Sequence, residues 1–289
     1  MHPSRAQLER AARRLDALCA AQDFVTGWSL IGLGPEAGRA SRHGSRLFPA
    51  ASTRKVAVMM TVLRAVHRGE LDLEERVTID GRYRDRVFTG LLQHLDAGLT
   101  LSLRDTVTLM IILSDNLSTA HVLDRIGLDA VNAWCERAGL TATRHRHALI
   151  PALAPDHPVE ATNATTPDDQ AHLLELIAHG AAGRSQAVER LGCPPDLCAF
   201  ALDVLRRQQF RDALPALLPY GTPVAHKSGA GWRDVSDAGV FFAGGEPRYV
   251  LAVYTDEVPP VLPDGLPGVA GARGHIASLS RACWEELHP

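Results

Sequence analysis

The sequence predicts an α/β fold in which an antiparallel sheet flanked by helices is joined to an all-helical body. Strand patterns occur only towards the two ends of the chain, and the long region between them has helical spacing. The 289 residues are 46% hydrophobic, which is enough to bury one large core or two joined ones. We expect a sheet domain from 1–51 and 208–289, an all-helical domain over 52–207, and an active site in the cleft between them.

The N-terminal part of the chain supplies the first strands and the first buried helices. The first elements are, in order, a helix over 4–21, a strand over 24–33 and a short strand at 46–48. Ser52 opens a run that is apolar on most faces, which predicts a buried helix. Ser102 and Asp105 form a capping pair for a second buried helix, which we expect to end at Ser114.

The C-terminal part begins with a long loop and returns to strands. Residues 144–164 are rich in proline and histidine and have no sustained period, which is typical of a structured, functional loop. Thr166, Pro167 and Asp169 form an N-cap, so a helix is expected from Pro167 to about His179. Three strands are then predicted within 222–257, followed by a final helix over 271–287.

Charge and composition exclude some partners. The formal net charge is −3 with both signs mixed along the chain, so no basic stripe could bind nucleic acid or an anionic membrane. No apolar stretch approaches the roughly 20 residues that span a bilayer. The N-terminus lacks a secretory signal, which predicts a cytoplasmic protein as written, or a periplasmic or secreted one if an export signal was removed. The five cysteines are an odd number, which favours reduced thiols over a disulfide framework. We also expect a monomer without a cofactor.

Lysine is almost absent from this chain. Of its 30 basic residues, 28 are arginines, and the two lysines are Lys55 and Lys227. Unlike a guanidinium, a lysine ammonium can lose its proton when it is buried. Both lysines are therefore candidates for a chemical role.

Ser52 and Lys55 lie three residues apart at the start of a predicted helix. This spacing puts the hydroxyl and the amine on one helix face, where Lys55 could take the proton of Ser52. A helix N-terminus would in addition stabilise negative charge on the serine oxygen. The alternative is an ordinary helix cap followed by a surface cation.

Two further triplets carry polar side chains that chemistry could use. Ser-Asp-Asn at 114–116 follows a buried helix, so its hydroxyl could relay a proton in a cleft, or the triplet could simply be a helix-to-helix turn. Lys-Ser-Gly at 227–229 lies in an apolar strand, where a buried lysine would be costly without a role. An edge-strand cation that faces water is the alternative.

The three triplets occur in an order that identifies a family. Ser-x-x-Lys, Ser-Asp-Asn and Lys-Ser-Gly, in that order, are typical of class A β-lactamases and penicillin-binding proteins. The chain resembles this family over nearly its whole length, with 62 residues from Ser52 to Ser114, 113 from Ser114 to Lys227, and Thr-Thr-Pro at 165–167. The resemblance implies the β-lactamase and transpeptidase fold, with a five-stranded antiparallel sheet.

The resemblance also implies roles for individual residues. The catalytic set would be Ser52 as the acylated nucleophile, Lys55 as its base and Ser114 as a proton shuttle to the leaving nitrogen. The binding set would be Asn116 for the substrate amide, Lys227 and Ser228 for the substrate carboxylate, and Gly229 and Ala230 beside them. The backbone N–H groups of Ser52 and Ala230 would form the oxyanion hole.

Two features depart from the family pattern. Class A β-lactamases carry a Glu-x-x-Leu-Asn segment before Thr-Thr-Pro, whose glutamate activates the deacylating water; here its position falls near Ile150. The candidate substitutes in the loop are Asp156, Glu160, His145, His147 and His157. The usual carboxylate-binding arginine is also missing after Ala230, and Arg233 either takes that role or points to solvent.

These observations predict a serine hydrolase that opens a β-lactam amide through an acyl-enzyme on Ser52. The alternatives are an esterase, peptidase or acyltransferase of the same fold, or a β-lactam-binding protein that acylates without turnover. The substrate is expected to be a small β-lactam or a related amide or ester. We expect no metal, because Cys193, Cys198 and His226 lack a standard zinc spacing and His145-x-His147 has no third ligand.

Overall fold

A computed structural model describes residues 2–34, 38–149, 151, 153–154 and 156–288 of the chain. The helices are α1 (Arg5–Ala20), α2 (Lys55–His67), α3 (Leu103–Ile112), α4 (Asn116–Ile126), α5 (Leu128–Ala138), α6 (Pro167–Ala181), α7 (Ser185–Leu191), α8 (Pro195–Arg206) and α9 (Gly268–Leu287). The strands are β1 (Val25–Gly32), β2 (Arg39–Arg42), β3 (Phe48–Pro49), β4 (Arg76–Ile79), β5 (Leu99–Ser102), β6 (Ala164–Thr165), β7 (Val224–Ala230), β8 (Val235–Ala243) and β9 (Glu246–Asp256).

Strands from both ends of the chain form one five-stranded antiparallel sheet. Its order is β2-β1-β9-β8-β7, so the N-terminal strand β1 pairs with the C-terminal strand β9. Trp28 of β1 lies opposite Val253 of β9, and Lys227 of β7 lies opposite Ala238 of β8. The predicted fold class is confirmed, and β7 is an edge strand of the sheet.

The prediction of strands near the N-terminus was wrong in two details. The short strand expected at 46–48 is β3, which pairs with β6 and lies outside the large sheet. The second strand of the large sheet is instead β2, whose side chains are alternately exposed and half-buried. Its sequence, Arg-Ala-Ser-Arg, has no apolar run, so hydrophobic periodicity could not find it.

Helices cover both faces of the sheet. On one face, α1 and α9 pack side chains such as Leu15 and Ile276 against Trp28, Leu30 and Phe241 of the strands. On the other face, β1, β8 and β9 contribute to a second cluster that continues into the buried side chains of α2, α3, α6 and α8. The sheet is therefore covered on both faces, which explains why nearly every residue of β8 and β9 is buried.

Cap residues fix where the helices near the site begin. The Ser102 hydroxyl accepts a hydrogen bond from Asp105 N at the start of α3, and the Thr166 hydroxyl accepts one from Asp169 N at the start of α6. Both predicted caps are confirmed. Helix α3 ends at Ile112, just before the Ser114 turn, and α9 begins three residues earlier than the predicted Gly271.

The middle of the chain is mainly helical but also contains a small sheet. Strands β4 and β5 pair antiparallel within it, with Val77 opposite Leu101. The buried positions alternate along β4, which is the period of a half-buried strand. An all-helical region was predicted because four such residues give too short a signal beside the long helices. The boundaries proposed for the two domains stay a prediction.

Two findings bear on the surroundings of the protein. Among the described residues, no helix has both the length and the apolar composition that crossing a membrane requires. All five cysteines are free thiols and buried.

Candidate active site

Ser52 lies in a tight turn that precedes α2. The prediction began a helix at Ser52, but residues Ala51–Arg54 form a 3-10 turn and the α-helix begins at Lys55. Ala51 has a φ of 40°, a strained conformation for a residue with a side chain. Two hydrogen bonds of Thr53 stabilise the turn and fix it to the sheet: Thr53 Oγ1 donates to Ala50 O (2.6 Å) and accepts from Tyr254 Oη of β9 (2.7 Å).

The Lys55 amine is buried against the second motif. Its Nζ atom is within hydrogen-bond distance of Ser114 O (2.7 Å), Ser114 Oγ (3.1 Å) and Asn116 Oδ1 (2.7 Å). These acceptors stabilise an ammonium, whereas burial, which is the largest influence, and the nearby charges of Lys227 and Arg54 oppose it. The pKa of Lys55 is therefore lowered well below that of an exposed lysine, which favours a free amine.

Residues 114–116 form the turn between α3 and α4. Ser114 has a φ of 52°, so the backbone turns sharply and both Ser114 groups reach Lys55. Asp115 is fully buried and holds the turn: its carboxylate accepts from Ser118 N (2.8 Å) and Leu92 N (2.9 Å). The triplet caps α4, as a helix-to-helix turn does, and it also brings Ser114 and Asn116 to Lys55, whereas the proton relay by Ser114 stays a prediction.

Lys227 is fully buried although its strand is at the sheet edge. The alternative of a cation facing water is therefore excluded. Burial lowers the pKa of Lys227 to about 7, and the charge of Asp237 acts in the opposite direction. Asp237 is itself buried and pairs with His226, whose Nδ1 lies 2.9 Å from Asp237 Oδ1.

Strand β7 packs directly against the Ser52 turn at Gly229. A Cβ atom at Gly229 would lie 2.9 Å from both Ser52 N and Ala51 Cβ, and 2.8 Å from Ser236 Oγ. Only glycine allows this approach. It holds the backbone of Ser52 next to the end of β7, where the N–H groups of Ser52 and Ala230 were predicted to form an oxyanion hole.

Two cavities meet at Ser52 and Ala230, which line both of them. The first has a volume of about 400 Å³, and its lining includes Lys55 and Asn116. The second has a volume of about 300 Å³, and its lining includes Ser114 and Ser228. The fold thus gathers all three predicted motifs around one serine, with Lys227 buried just before the residues that line the second cavity.

The long loop contributes one of its candidate bases to the first cavity. His157 lines this cavity and has its Nδ1 3.0 Å from Pro158 O. His145 is 3% exposed, and burial together with the Arg54 charge lowers its pKa to about 3. The other candidates lie elsewhere: His147 Nε2 contacts Ala161 O (2.8 Å), Asp156 is exposed, and Glu160 lines a separate cavity. Ile150 lies outside the described residues.

The two arginines near the end of β7 have different surroundings. Arg233 forms an ion pair with Asp256 (2.9 Å) and lines the separate cavity of Glu160, so nothing in its position supports the predicted role with the substrate carboxylate. Arg273 of α9 lines the second cavity with Ser114 and Ser228, and pairs with Asp212 at 3.1 Å. Sequence reasoning missed Arg273, because no motif marks a residue that reaches the site from a distant helix.

Asp234 is the second residue that the sequence did not indicate. It is the last residue before β8, lines the first cavity and is 6% exposed. Burial and the charge of Asp256 raise its pKa to about 7.

Within the described residues, no group of three or more His, Cys, Asp or Glu side chains is arranged so that it could hold a metal ion.

A five-stranded antiparallel sheet, a helical body, and a serine and a buried lysine that line one cavity are the features of the penicillin-recognising serine hydrolases. The comparison of sequences agrees with this class. The chain belongs to the β-lactamase enzyme family, whose sequence profile matches residues 10–287.

Solved structures similar to this chain come from the same group. A β-lactamase from Sphaerobacter thermophilus is 28% identical, with 96% of each chain covered and a TM-score of 0.79. The protein PBP-A is 26% identical over 99% of this chain and 98% of its own, with a TM-score of 0.78. A point mutant of PBP-A, solved as an acyl-enzyme complex with penicillin G, is 27% identical over 98% of both chains, with a TM-score of 0.77. No curated protein sequence matches the chain.

Proposed function

We propose that this protein forms an acyl-enzyme on Ser52 with β-lactams, and that it releases the acyl group slowly. The observation that carries the proposal is Lys55, a buried amine with a lowered pKa that contacts Ser114 and Asn116 and lines the same cavity as Ser52. Such an amine is suited to accept a proton from a neighbouring hydroxyl. The acyl-enzyme complex of the PBP-A mutant with penicillin G supports the same chemistry for this fold.

Acylation would proceed in two balanced steps. The Lys55 amine takes the proton of Ser52 Oγ while this oxygen bonds to the β-lactam carbonyl carbon, and the N–H groups of Ser52 and Ala230 stabilise the oxyanion. The carbon–nitrogen bond then breaks as Ser114 gives its hydroxyl proton to the leaving nitrogen. Ser114 recovers a proton from Lys55, with which it already shares a hydrogen bond of 3.1 Å.

The two cavities divide the substrate between them. Asn116, in the first cavity, would hold the amide of the acyl group. Ser114 and Ser228, in the second, would face the leaving nitrogen and the substrate carboxylate. Lys227 and Arg273 would supply the positive charge for this carboxylate, in place of the arginine that is missing after Ala230.

Slow release is favoured by what lines the first cavity. Its ionisable side chains among the described residues are Arg54, Lys55, His157 and Asp234. Neither acidic residue of the loop, Asp156 or Glu160, lines this cavity, where it could activate water. His157 is the candidate base from the loop, because a Nδ1–H donated to Pro158 O leaves its Nε2 as an acceptor. A β-lactam-binding protein that stays acylated is therefore the second candidate function.

An intact-mass time course with benzylpenicillin tests the proposal. We expect one covalent adduct on the wild type, persisting after excess penicillin is removed, and no adduct on Ser52→Ala. Labelling of Ser52→Ala would overturn the choice of nucleophile. Steady hydrolysis of a chromogenic cephalosporin would instead indicate a true β-lactamase, and cleavage of small esters without labelling would indicate an esterase.

A further inference from the structure

Asp234 is a buried carboxyl group whose charge is not matched by a partner of its own. Its Oδ2 atom is fully buried and has no hydrogen-bond donor among the described residues. The adjacent Arg233 is the nearest source of positive charge in sequence, but its guanidinium pairs with Asp256 at 2.9 Å. An unpaired carboxylate in such a place is unfavourable, which is why burial raises its pKa, and a cationic ligand would stabilise the charged form.

The position of this carboxyl group is the acyl side of the candidate site. Asp234 lines the first cavity together with Ser52 and Asn116, and it does not line the second. The turn after β7 brings Asp234 back towards the end of β7. Gly231 N donates to Asp234 O (2.9 Å), and a side chain at Gly231 would collide with Asp234 Oδ1. The carboxyl group is thus fixed beside the residues that follow Ala230.

The remaining lining of the cavity indicates what else the ligand would carry. Phe88 and Trp232 lie at its edge and are 68% and 80% exposed, which is unusual for large aromatic side chains. Leu153 and Pro151 add further apolar surface from the loop. An acyl side chain that combines an aromatic or apolar group with a cation would complement both features.

We propose that Asp234 is a specificity-determining residue, which binds a protonated amine on the acyl side chain of the substrate. This inference rests on the proposed function, because it assigns the acyl group to the first cavity. The favoured substrates are β-lactams or related amides whose acyl group bears an ammonium next to an aromatic or apolar group. The ammonium donates hydrogen bonds to the carboxylate and neutralises its charge inside the cavity.

Three penicillins test the proposal because they differ at a single side-chain carbon. Benzylpenicillin carries hydrogen there, ampicillin an amine and carbenicillin a carboxylate. We expect the second-order acylation constant of the wild type at pH 7.0 to be about tenfold higher for ampicillin than for benzylpenicillin, and lower for carbenicillin. Asp234→Asn should bring the ratio of ampicillin to benzylpenicillin close to one.

Glu246→Gln is the matched control. It removes one negative charge at the exposed turn between β8 and β9, at the other end of β8 from Asp234, and should keep the wild-type ratio. A wild-type ratio of one or less would overturn the proposal without any variant. An Asp234→Asn protein that loses acylation equally with all three penicillins would overturn it as well, because such a loss reports a structural or general catalytic role.

Failure of the proposed function gives a different result. If no penicillin acylates the wild type, the acyl-enzyme proposal fails, and calorimetric binding of ampicillin and benzylpenicillin to Ser52→Ala then decides about Asp234. Tighter binding of ampicillin, lost in the Ser52→Ala, Asp234→Asn double variant, supports the inference. Equal binding of the two penicillins contradicts it.

Discussion

At the scale of single residues, the proposed site depends on two buried lysines whose hydrogen-bond partners differ. Lys55 has three acceptors around its amine, whereas Lys227 donates to the carbonyl oxygen of the next residue, Ser228 O, at 2.7 Å. The charge of Lys227 is among the causes that lower the pKa of Lys55. Lys227 can therefore supply positive charge for the substrate, and the same charge favours the unprotonated form of Lys55, which can accept a proton.

Lys55→Arg should abolish acylation while keeping the positive charge. A guanidinium does not lose its proton in a protein, so it cannot take the proton of Ser52. We expect the acylation constant for benzylpenicillin to fall by about a thousandfold or more. Lys227→Arg should lose much less, since a carboxylate can be bound by either cation. Stopped-flow or mass-spectrometric acylation rates check both, and a Lys55→Arg protein that acylates at nearly the wild-type rate would refute the assignment of the base.

Arg273 and Arg233 form a second pair for comparison. Arg273→Ala should raise the penicillin concentration needed for half-maximal acylation about tenfold, because a charge-assisted bond to the substrate carboxylate is lost. Arg233→Ala should change this concentration little, since Arg233 lines another cavity. A penicillin methyl ester, which has no carboxylate, should not distinguish Arg273→Ala from the wild type. The reverse order of the two variants would show that Arg233 holds the carboxylate after all.

At the scale of secondary-structure elements, the proposed oxyanion hole depends on how closely β7 approaches the turn before α2. The turn is held from β9 by the Tyr254 hydroxyl, and β7 is held by its pairing with β8. The sheet thus fixes both backbone N–H groups, and the helices fix the side chains of Lys55 and Ser114. Donors that are positioned in advance stabilise a developing charge without reorganisation.

Gly229→Ala tests this arrangement. The added methyl group would lie 2.9 Å from Ser52 N, so β7 and the turn must separate and the two N–H groups lose their relative position. We expect the acylation constant to fall by about a hundredfold or more, the effect of losing one oxyanion donor. Gly274→Ala in α9 is the control: its Cβ would meet no atom within 4 Å, and alanine in a helix should stabilise the protein by about 0.5–1 kcal/mol. If Gly229→Ala were acylated at the wild-type rate, Ser52 N and Ala230 N could not both be donors of the oxyanion hole.

At the scale of the whole molecule, the sequence contained the motifs and the sheet but not the full surroundings of Ser52. The rarity of lysine and the order of the three triplets indicated residues that the fold brings together around Ser52, because each triplet has its own local signal. Asp234 and Arg273 reach the cavities from a turn and a distant helix, and no local pattern marks such long-range contacts. Strand β2 escaped prediction for a related reason, since its side chains lack the apolar alternation of a half-buried strand.

The buried charges also affect the stability of the whole protein, and Lys227→Met tests the contribution of Lys227. In the unfolded chain Lys227 keeps its proton up to a pKa of about 10.4, whereas in the folded protein its pKa is about 7. Between these values the unfolded state binds more protons, so the lysine makes the free energy of unfolding rise with pH by up to about 1.4 kcal/mol per unit. Below pH 7 both states are protonated, and this contribution is constant.

The difference between wild type and Lys227→Met is the quantity to measure, by urea unfolding from pH 6 to 9.5. Burial raises the pKa of thiols such as Cys19 and Cys135, which lowers stability as pH rises above about 8.5, but both proteins share this loss. Lys227→Met should be the more stable protein at pH 6, because a buried cation is replaced by an apolar side chain of similar size. Its advantage should shrink by about 2 kcal/mol as the pH reaches 9. If the free energies of unfolding of the two proteins changed with pH in parallel, Lys227 would stay charged in the folded protein. Its charge would then oppose protonation of Lys55 over the whole pH range measured.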